Sequence, residues 1–298
     1  MNAARFSISA DPGAKEDQSE DGAARRLALL VEYDGSEYSG FQLQKGQPSI
    51  QGEIEAALNS FTGESIRIRG ASRTDAGAHA RGQVVDFLTT SRHHARVFPR
   101  ALNYYLPREI QVQCAYQVPY TFHSRKHASG RTYRYNVLNR AWASPLAGKH
   151  SFWVRGDLNV ERMASAAQSL VGKHDFRPFA PGFPSEKSSH RHVNRWDVWR
   201  EDDAVIFECE ANGFIKHQIR RTNGLLLQVG KGRWPASVVA DVIAGKCEQE
   251  VEWASIPAHG LCLMKVTYPD YLSVDLAPYM AQEEEEQLGL GDNLYEEN

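Results

Sequence analysis

Segments of strand length alternate along this chain with segments of 3.6-residue apolar period, and that mixture limits the fold more than any other feature of the sequence. Leu27 to Tyr33 is an apolar run ended by the turn pair Asp34-Gly35, which predicts a buried strand. After Ser49, a residue that can cap a helix, Ile50, Ile54, Ala57, Leu58 and Phe61 recur at helical spacing until Gly63 closes the segment. Ile66 and Ile68 then alternate with Arg67 and Arg69, predicting a half-buried strand over 65–69, and Gln83 to Leu88 predicts another. Residues 70–82 become a loop between two strands. Farther on, the pattern predicts helices near 94–105, from Asn159 to Val171 ahead of Gly172, near 214–229 and from Pro235. Strands are expected near 110–117, 131–138, 193–200, 204–211 and 261–268. This order predicts an α+β fold, with an antiparallel or mixed sheet covered on one side by helices.

A chain of 298 residues can form one large domain or two ordinary ones without staples. No apolar run approaches the roughly 20 residues that span a bilayer, so membrane insertion is not expected. The first 24 residues lack an apolar segment and carry five acids, which argues against a targeting peptide. Cys114, Cys209, Cys247 and Cys262 are widely spaced and fit a reducing cytoplasm better than a zinc or redox motif. The formal charge of −3 conceals an asymmetry: residues 1–24 carry −3 and residues 276–298 carry −7, which leaves +7 on the body. A basic body is compatible with a phosphate-bearing partner.

Three clusters could carry chemistry. In Gly70-Ala71-Ser72-Arg73-Thr74-Asp75-Ala76-Gly77-Ala78-His79-Ala80, small residues beside Asp75 leave room for a bulky ligand, with Arg73 and His79 flanking. A lone Asp-x-Gly of this kind is more often a plain turn. In Arg131-Thr132-Tyr133-Arg134-Tyr135 the two tyrosines share a face, and either core packing or stacking on an unpaired base would explain them. The preceding Phe122-His123-Ser124-Arg125-Lys126-His127 has the basic density of a phosphate contact or of a solvated loop. In the third cluster, Phe214, Ile215, Ile219, Leu226 and Val229 form an apolar helix face with Arg220 at its edge, where it would need a carboxylate partner. His93-His94 and His190-x-His192 lack a recognised metal-ligand spacing, and no nucleotide-cofactor motif is present.

From about Leu27 to Tyr268 the chain resembles the TruA-type transfer-RNA pseudouridine synthases. Tyr33-Asp34-Gly35-Ser36-Glu37-Tyr38-Ser39-Gly40-Phe41-Gln42-Leu43-Gln44 is similar to the family's opening turn, with Phe41 where Trp is usual. Arg73-Thr74-Asp75-Ala76-Gly77 resembles its catalytic loop, the most specific element. Ala101-Leu102-Asn103 with Leu106-Pro107, Phe122-His123-Ser124-Arg125, Arg131 to Tyr135, His174-Asp175-Phe176 and Gly260-Leu261-Cys262-Leu263 follow in the family's order. Ala78 stands for the usual Val, Ser124 for Ala, and Arg221-Thr222-Asn223 for a more apolar run.

The resemblance implies two sheet-and-helix halves forming a central, mainly antiparallel sheet with a cleft between them. The halves would span 25–140 and 141–275, with disordered tails over 1–24 and 276–298. It implies a homodimer without cofactor or metal that converts uridine to pseudouridine in transfer RNA, commonly at positions 38, 39 and 40 of the anticodon stem-loop. Asp75 would attack C1′ or C6, or remove the C2′ proton, on a flipped-out uridine. Arg220 would pair with Asp75; Tyr133 would stack on the uracil and help remove the C5 proton. Arg73 would fill the vacated stack or clamp a phosphate, and Arg125, Lys126 and Arg131 would be phosphate contacts. Two rivals are a non-catalytic RNA-binding protein, for which the Asp75 carboxylate would be superfluous, and a nucleoside hydrolase, which would liberate free uracil.

Overall fold

The structure, a computed structural model, describes residues 23–247 and 251–269. Of the two tails expected from the sequence, all but Ala23 and Ala24 lie outside the described residues. The elements run β1 (Arg25–Tyr33), α1 (Ile50–Thr62), β2 (Arg69–Gly70), β3 (His79–Thr89), α2 (Phe98–Tyr105), β4 (Ile110–Val118), β5 (Gly130–Asn139) and β6 (Phe152–Val154). There follow α3 (Val160–Ala167), β7 (Gly172–Asp175), β8 (His190–Glu201), β9 (Ala204–Ala211), α4 (Gln218–Gly230), α5 (Val238–Ala244) and β10 (Leu261–Thr267).

The strands form one sheet in the order β4-β1-β3-β10-β5-β9-β8-β7, with β2 added to β3 and β6 to β5. Pairing is antiparallel except for β5 with β6 and for β3 with β10, where His79 faces Cys262 and Ala80 faces Leu263. That short parallel contact is the seam of the molecule. The last strand is laid between the β4-β1-β3 group and the β5-β9-β8-β7 group, and β5 belongs to the second group through its ladders with β10 and β9.

Strand alternation separates an apolar face from a charged one. Leu27, Leu29, Val31 and Tyr33 of β1, Tyr133, Tyr135 and Val137 of β5, and Val205, Phe207 and Cys209 of β9 all enter one core with residues of α1 to α5. The opposite face carries polar ladders: Glu208 accepts from Arg134 (Nε, 3.0 Å) and Arg195 (Nη2, 2.6 Å). Helices therefore cover one side, as the sequence predicts. α1 begins where Ser49 Oγ accepts the Gly52 N–H and ends at a left-handed Gly63. It buries Ile50, Ile54 and Leu58 completely, each worth roughly 1.5–3 kcal/mol.

Several elements differ from expectation: β3 begins at His79 instead of Gln83, which shortens the loop expected over 70–82, and β6 and β7 are additional to the predicted strands. Ile66 and Ile68 are buried as predicted, but only Arg69–Gly70 pairs with β3. The reason is that α1 supplies the partner: Glu55 Oε1 accepts the Ile68 N–H at 3.1 Å and Oε2 accepts from Arg67 at 2.8 Å. The helix predicted near 214–229 starts only at Gln218, because Gln218 Oε1 accepts the Ile215 N–H at 3.0 Å and His217 turns the chain at φ +65°. Phe214 consequently leaves the helix face and packs edge-on against Tyr133, with ring centroids 5.4 Å apart.

Candidate active site

The segment between β2 and β3 holds Asp75, and its backbone is fastened at nearly every residue. Ala71 N–H donates to Val84 O (2.8 Å), and the side-chain amide of fully buried Gln83 bonds both the N–H (3.1 Å) and the C=O (2.7 Å) of Ser72. Thr74 Oγ1 meets the Tyr33 hydroxyl at 2.8 Å. Ala78 N–H returns to Asp75 O at 3.1 Å, closing a tight turn. Such a loop holds its carboxylate on a rigid frame.

The opening turn after β1 is the other half of that frame. Phe41 N–H donates to Thr74 O (3.2 Å), and Tyr38 O accepts the Gly77 N–H (3.2 Å). Contact this close explains two glycines: a Cβ on Gly35 would lie 2.0 Å from Ala78 O, and one on Gly40 would lie 2.8 Å from Thr74 O. Gly40 also has φ +103°, which L side chains rarely adopt. Gly40→Ala is accordingly expected to lower stability by about 1–3 kcal/mol and to slow turnover by moving Thr74 and Asp75, measured as Tm beside kcat.

Asp75 and Arg220 meet across the seam from residues 145 positions apart: Arg220 Nη1 donates to Asp75 Oδ2 at 2.8 Å. The guanidinium is itself oriented, since its Nε donates to Ile256 O at 2.7 Å. Both side chains stay partly open, 23% exposed for Asp75 and 18% for Arg220, so the carboxylate is reachable by a ligand. Its other oxygen faces His217 Nε2 at 3.8 Å. Tyr133, 5% exposed, lines the same cleft and shares a 2.6 Å hydrogen bond between its hydroxyl and Ser72 Oγ. Burial pushes the Tyr133 phenol up to about 12, so it remains protonated at neutral pH.

The three residues singled out in the sequence thus line one cleft of about 1360 Å³. This exceeds the roughly 300–1,000 Å³ of small-molecule pockets and fits part of a polymer. Arg73, Arg125, Lys187, Arg191 and Lys216 contribute to its lining, and Asp75 is the one carboxylate among the lining residues. Arg73 and Arg125, expected as substrate contacts, both line the cleft. Lys126 is not among the lining residues. Arg131 is 8% exposed and acts as a tie, with its guanidinium donating to the carbonyls of Ala128, Asn212, Ala71 and Arg125 at 2.7–3.3 Å. Lys187, Arg191, Lys216 and His217 escaped the sequence reading. Only density of basic residues marks them, and Arg191 lies between His190 and His192, a pair set aside for lack of a metal-ligand spacing.

The described residues hold one set spaced for a cation, Asp34, His79 and His150, with ligand atoms within 4.8 Å of one another. His79 already has partners at both ring nitrogens. Nε2 lies 3.0 Å from the carbonyls of Lys149 and His259, which can only accept, and Nδ1 accepts the Gly35 N–H at 3.1 Å. His79 is better described as the anchor that fixes the end of the Asp75 loop.

A one-sided α+β sheet whose basic cleft surrounds a single ion-paired carboxylate has the make-up of an enzyme acting on a nucleic acid. Comparison with known proteins specifies which. A family described as tRNA pseudouridine synthase matches residues 29–125 and 166–269. The tRNA pseudouridine synthase A of Roseiflexus castenholzii is 41% identical over 251 residues, covering 83% of this chain and 92% of the relative. Proteins of the same name from Geobacter sp. strain M21 (36%; 83% and 100% covered) and Halalkalibacterium halodurans (39%; 80% and 90% covered) are similar. The chain belongs to the tRNA pseudouridine synthase family, and is an isomerase of transfer RNA. Among the described residues, no helix is long and apolar enough to cross a membrane.

Proposed function

We propose that this chain converts uridine to pseudouridine in the anticodon stem-loop of transfer RNA, at positions 38, 39 and 40, with Asp75 as the catalytic carboxylate. The observation that carries the assignment is the Asp75–Arg220 pair at 2.8 Å, in a cleft whose other charged lining residues are arginines and lysines. The reaction breaks the ribose C1′–N1 bond, turns the uracil and rejoins it through C5. Nothing is oxidised and no group is lost, so a carboxylate and a surface that retains the detached base are sufficient.

A uridine within a folded stem-loop must leave its stack to reach Asp75, at a cost of a few kcal/mol, and the cations of the cleft hold the flanking phosphates while it does so. Arg73, exposed at the rim, occupies the vacated stack or clamps a phosphate. Asp75 attacks C1′ or C6, or removes the C2′ proton. Arg220 fixes one carboxylate oxygen and leaves the other for chemistry. Tyr133 offers a narrow ring surface to the base and helps remove the C5 proton. The working unit in this reading is a cytoplasmic homodimer.

Incubation of the purified protein with an unmodified transfer-RNA transcript tests this reading. Pseudouridine should accumulate in the anticodon arm without free uracil. Released uracil would instead identify a nucleoside hydrolase, and unchanged nucleosides a binding protein.

A further inference from the structure

Lys187 reaches the cleft from the connection between β7 and β8, residues 176–189, although strand hairpins commonly need only about 2–5 residues to turn. The ends of this connection touch: Asp175 pairs with His190, and Phe176 N–H donates to Ser189 O at 3.2 Å. A long loop closed at its base in this way is frequently functional.

The loop has two parts. At its base, Phe176 and Phe179 are fully buried in the core and Ala180 is buried beside them. Its tip, residues 181–188, contains no buried residue, yet Phe183, Pro184, Lys187 and Ser188 line the cleft. Backbone in such a position gains little from burial and has conformational entropy to lose when it is fixed. At the far end Arg191 Nη1 holds Ser188 O at 2.9 Å. Arg177 joins base to tip. Its own N–H donates to Asp175 Oδ1 at 2.9 Å, while Nη1 donates to the carbonyls of Phe183 (3.3 Å) and Pro184 (3.4 Å) and Nη2 to that of Lys187 (3.2 Å). The guanidinium also lies over the Phe183 ring, 5.8 Å from its centroid. Each of these bonds is long, so the tie depends on the planar fork that serves three acceptors together, which a lysine ammonium does not reproduce. Arg177 itself is not among the residues lining the cleft.

We propose that Arg177 is a positioning residue for transfer-RNA binding: by gathering these three carbonyls it shapes the loop tip so that Lys187 meets the phosphate backbone. The inference rests on the pseudouridine synthase reading of the cleft, because a nucleic acid is the ligand that gives Lys187 a partner. With its carbonyl turned inward to Arg177, Lys187 keeps an exposed side chain at the cleft.

The test measures transfer-RNA affinity over a salt series, beside steady-state kinetics and Tm, for wild type, Arg177→Lys, Arg177→Met, Lys187→Gln and the double variant Arg177→Met with Lys187→Gln. Each single variant should weaken binding about fivefold at physiological salt and lower the slope of log affinity against log salt by about 0.7–0.9, the loss of one phosphate contact. The loss should sit in KM, with kcat changing less than about threefold. Arg177→Lys should behave as Arg177→Met does, because the fork and not the charge is used. The double variant should bind no more weakly than Lys187→Gln, since Arg177 acts through Lys187. Losses that multiply in the double variant, with the slope falling by twice the single value, would make Arg177 a phosphate contact in its own right and overturn the proposal. Wild-type affinity in either single variant overturns it too, as does a fall in Tm and kcat with the salt slope unchanged, the mark of a merely structural arginine. Wild type that binds transfer RNA and forms no pseudouridine fails the functional reading alone, since affinity and coupling are read without turnover.

Discussion

Asp75→Asn is expected to reduce kcat by about 10³-fold or more while leaving transfer-RNA affinity within about threefold of wild type. The amide preserves the shape of the side chain and can still accept from Arg220, but it lacks the negative charge that attack at C1′ or C6, or removal of the C2′ proton, demands. Affinity should hold because binding rests on cations spread along the cleft, and loss of its one carboxylate removes a repulsion toward phosphate. Single-turnover kinetics beside filter binding measure the two effects separately. Substantial product from this variant would sink the role given to Asp75.

The second large effect concerns stability. Asp86 on β3 is fully buried, and its carboxylate accepts from Arg26 Nη1 at 2.6 Å, from the Arg69 guanidinium and from the Ser124 N–H at 2.9 Å. This one group joins β1, β2, β3 and the basic segment after β4. Asp86→Ala strands the 8%-exposed Arg26 and should cost about 3 kcal/mol, at the low end for a broken buried pair because Arg69 can turn toward water. Burial alone would raise the Asp86 pKa, but the hydrogen bonds from Arg69 and Ser124 outweigh it and hold the carboxyl below its ordinary 3.8. A depressed carboxyl contributes its stability above that ordinary value and loses it as the pH falls through the folded one. The gap between wild type and Asp86→Ala in urea midpoint should therefore be full at pH 7 and close in strong acid. An equal gap at all pH values would contradict the electrostatic origin.

Elements whose signals are local were legible in the sequence. The Ser49 cap, the apolar stripe and Gly63 bound α1 within one residue, the apolar run Leu27 to Tyr33 marked β1 as a buried strand, and alternation put Tyr133 and Tyr135 on one face of β5. What could not be read was set by distant partners. Nothing in residues 65–68 announces that Glu55 will take the Ile68 N–H in place of a neighbouring strand. The central seam joins His79 to Cys262 across more than 180 residues, and a parallel contact of two residue pairs leaves no periodic trace.

The departures from the family pattern also acquire reasons in three dimensions. Ser124 donates its hydroxyl to Arg69 O at 2.9 Å, and Asn223 accepts the Trp196 indole N–H at 3.1 Å inside the core. At the site, composition and motif found Asp75, Arg220 and Tyr133, whereas His217 depended on a backbone reversal that no spacing rule encodes. Arg131 has a tie that its basic run does not announce: it lines the cleft, and its two terminal guanidinium nitrogens donate to four carbonyls.

The most direct test of the account is pseudouridine mapping of total transfer RNA from cells that lack this protein and carry either the wild-type chain or Asp75→Asn. The predicted result is loss of pseudouridine confined to positions 38, 39 and 40, restored by wild type and not by the variant. Modification that persists at those positions without the protein, or returns with Asp75→Asn, would contradict it.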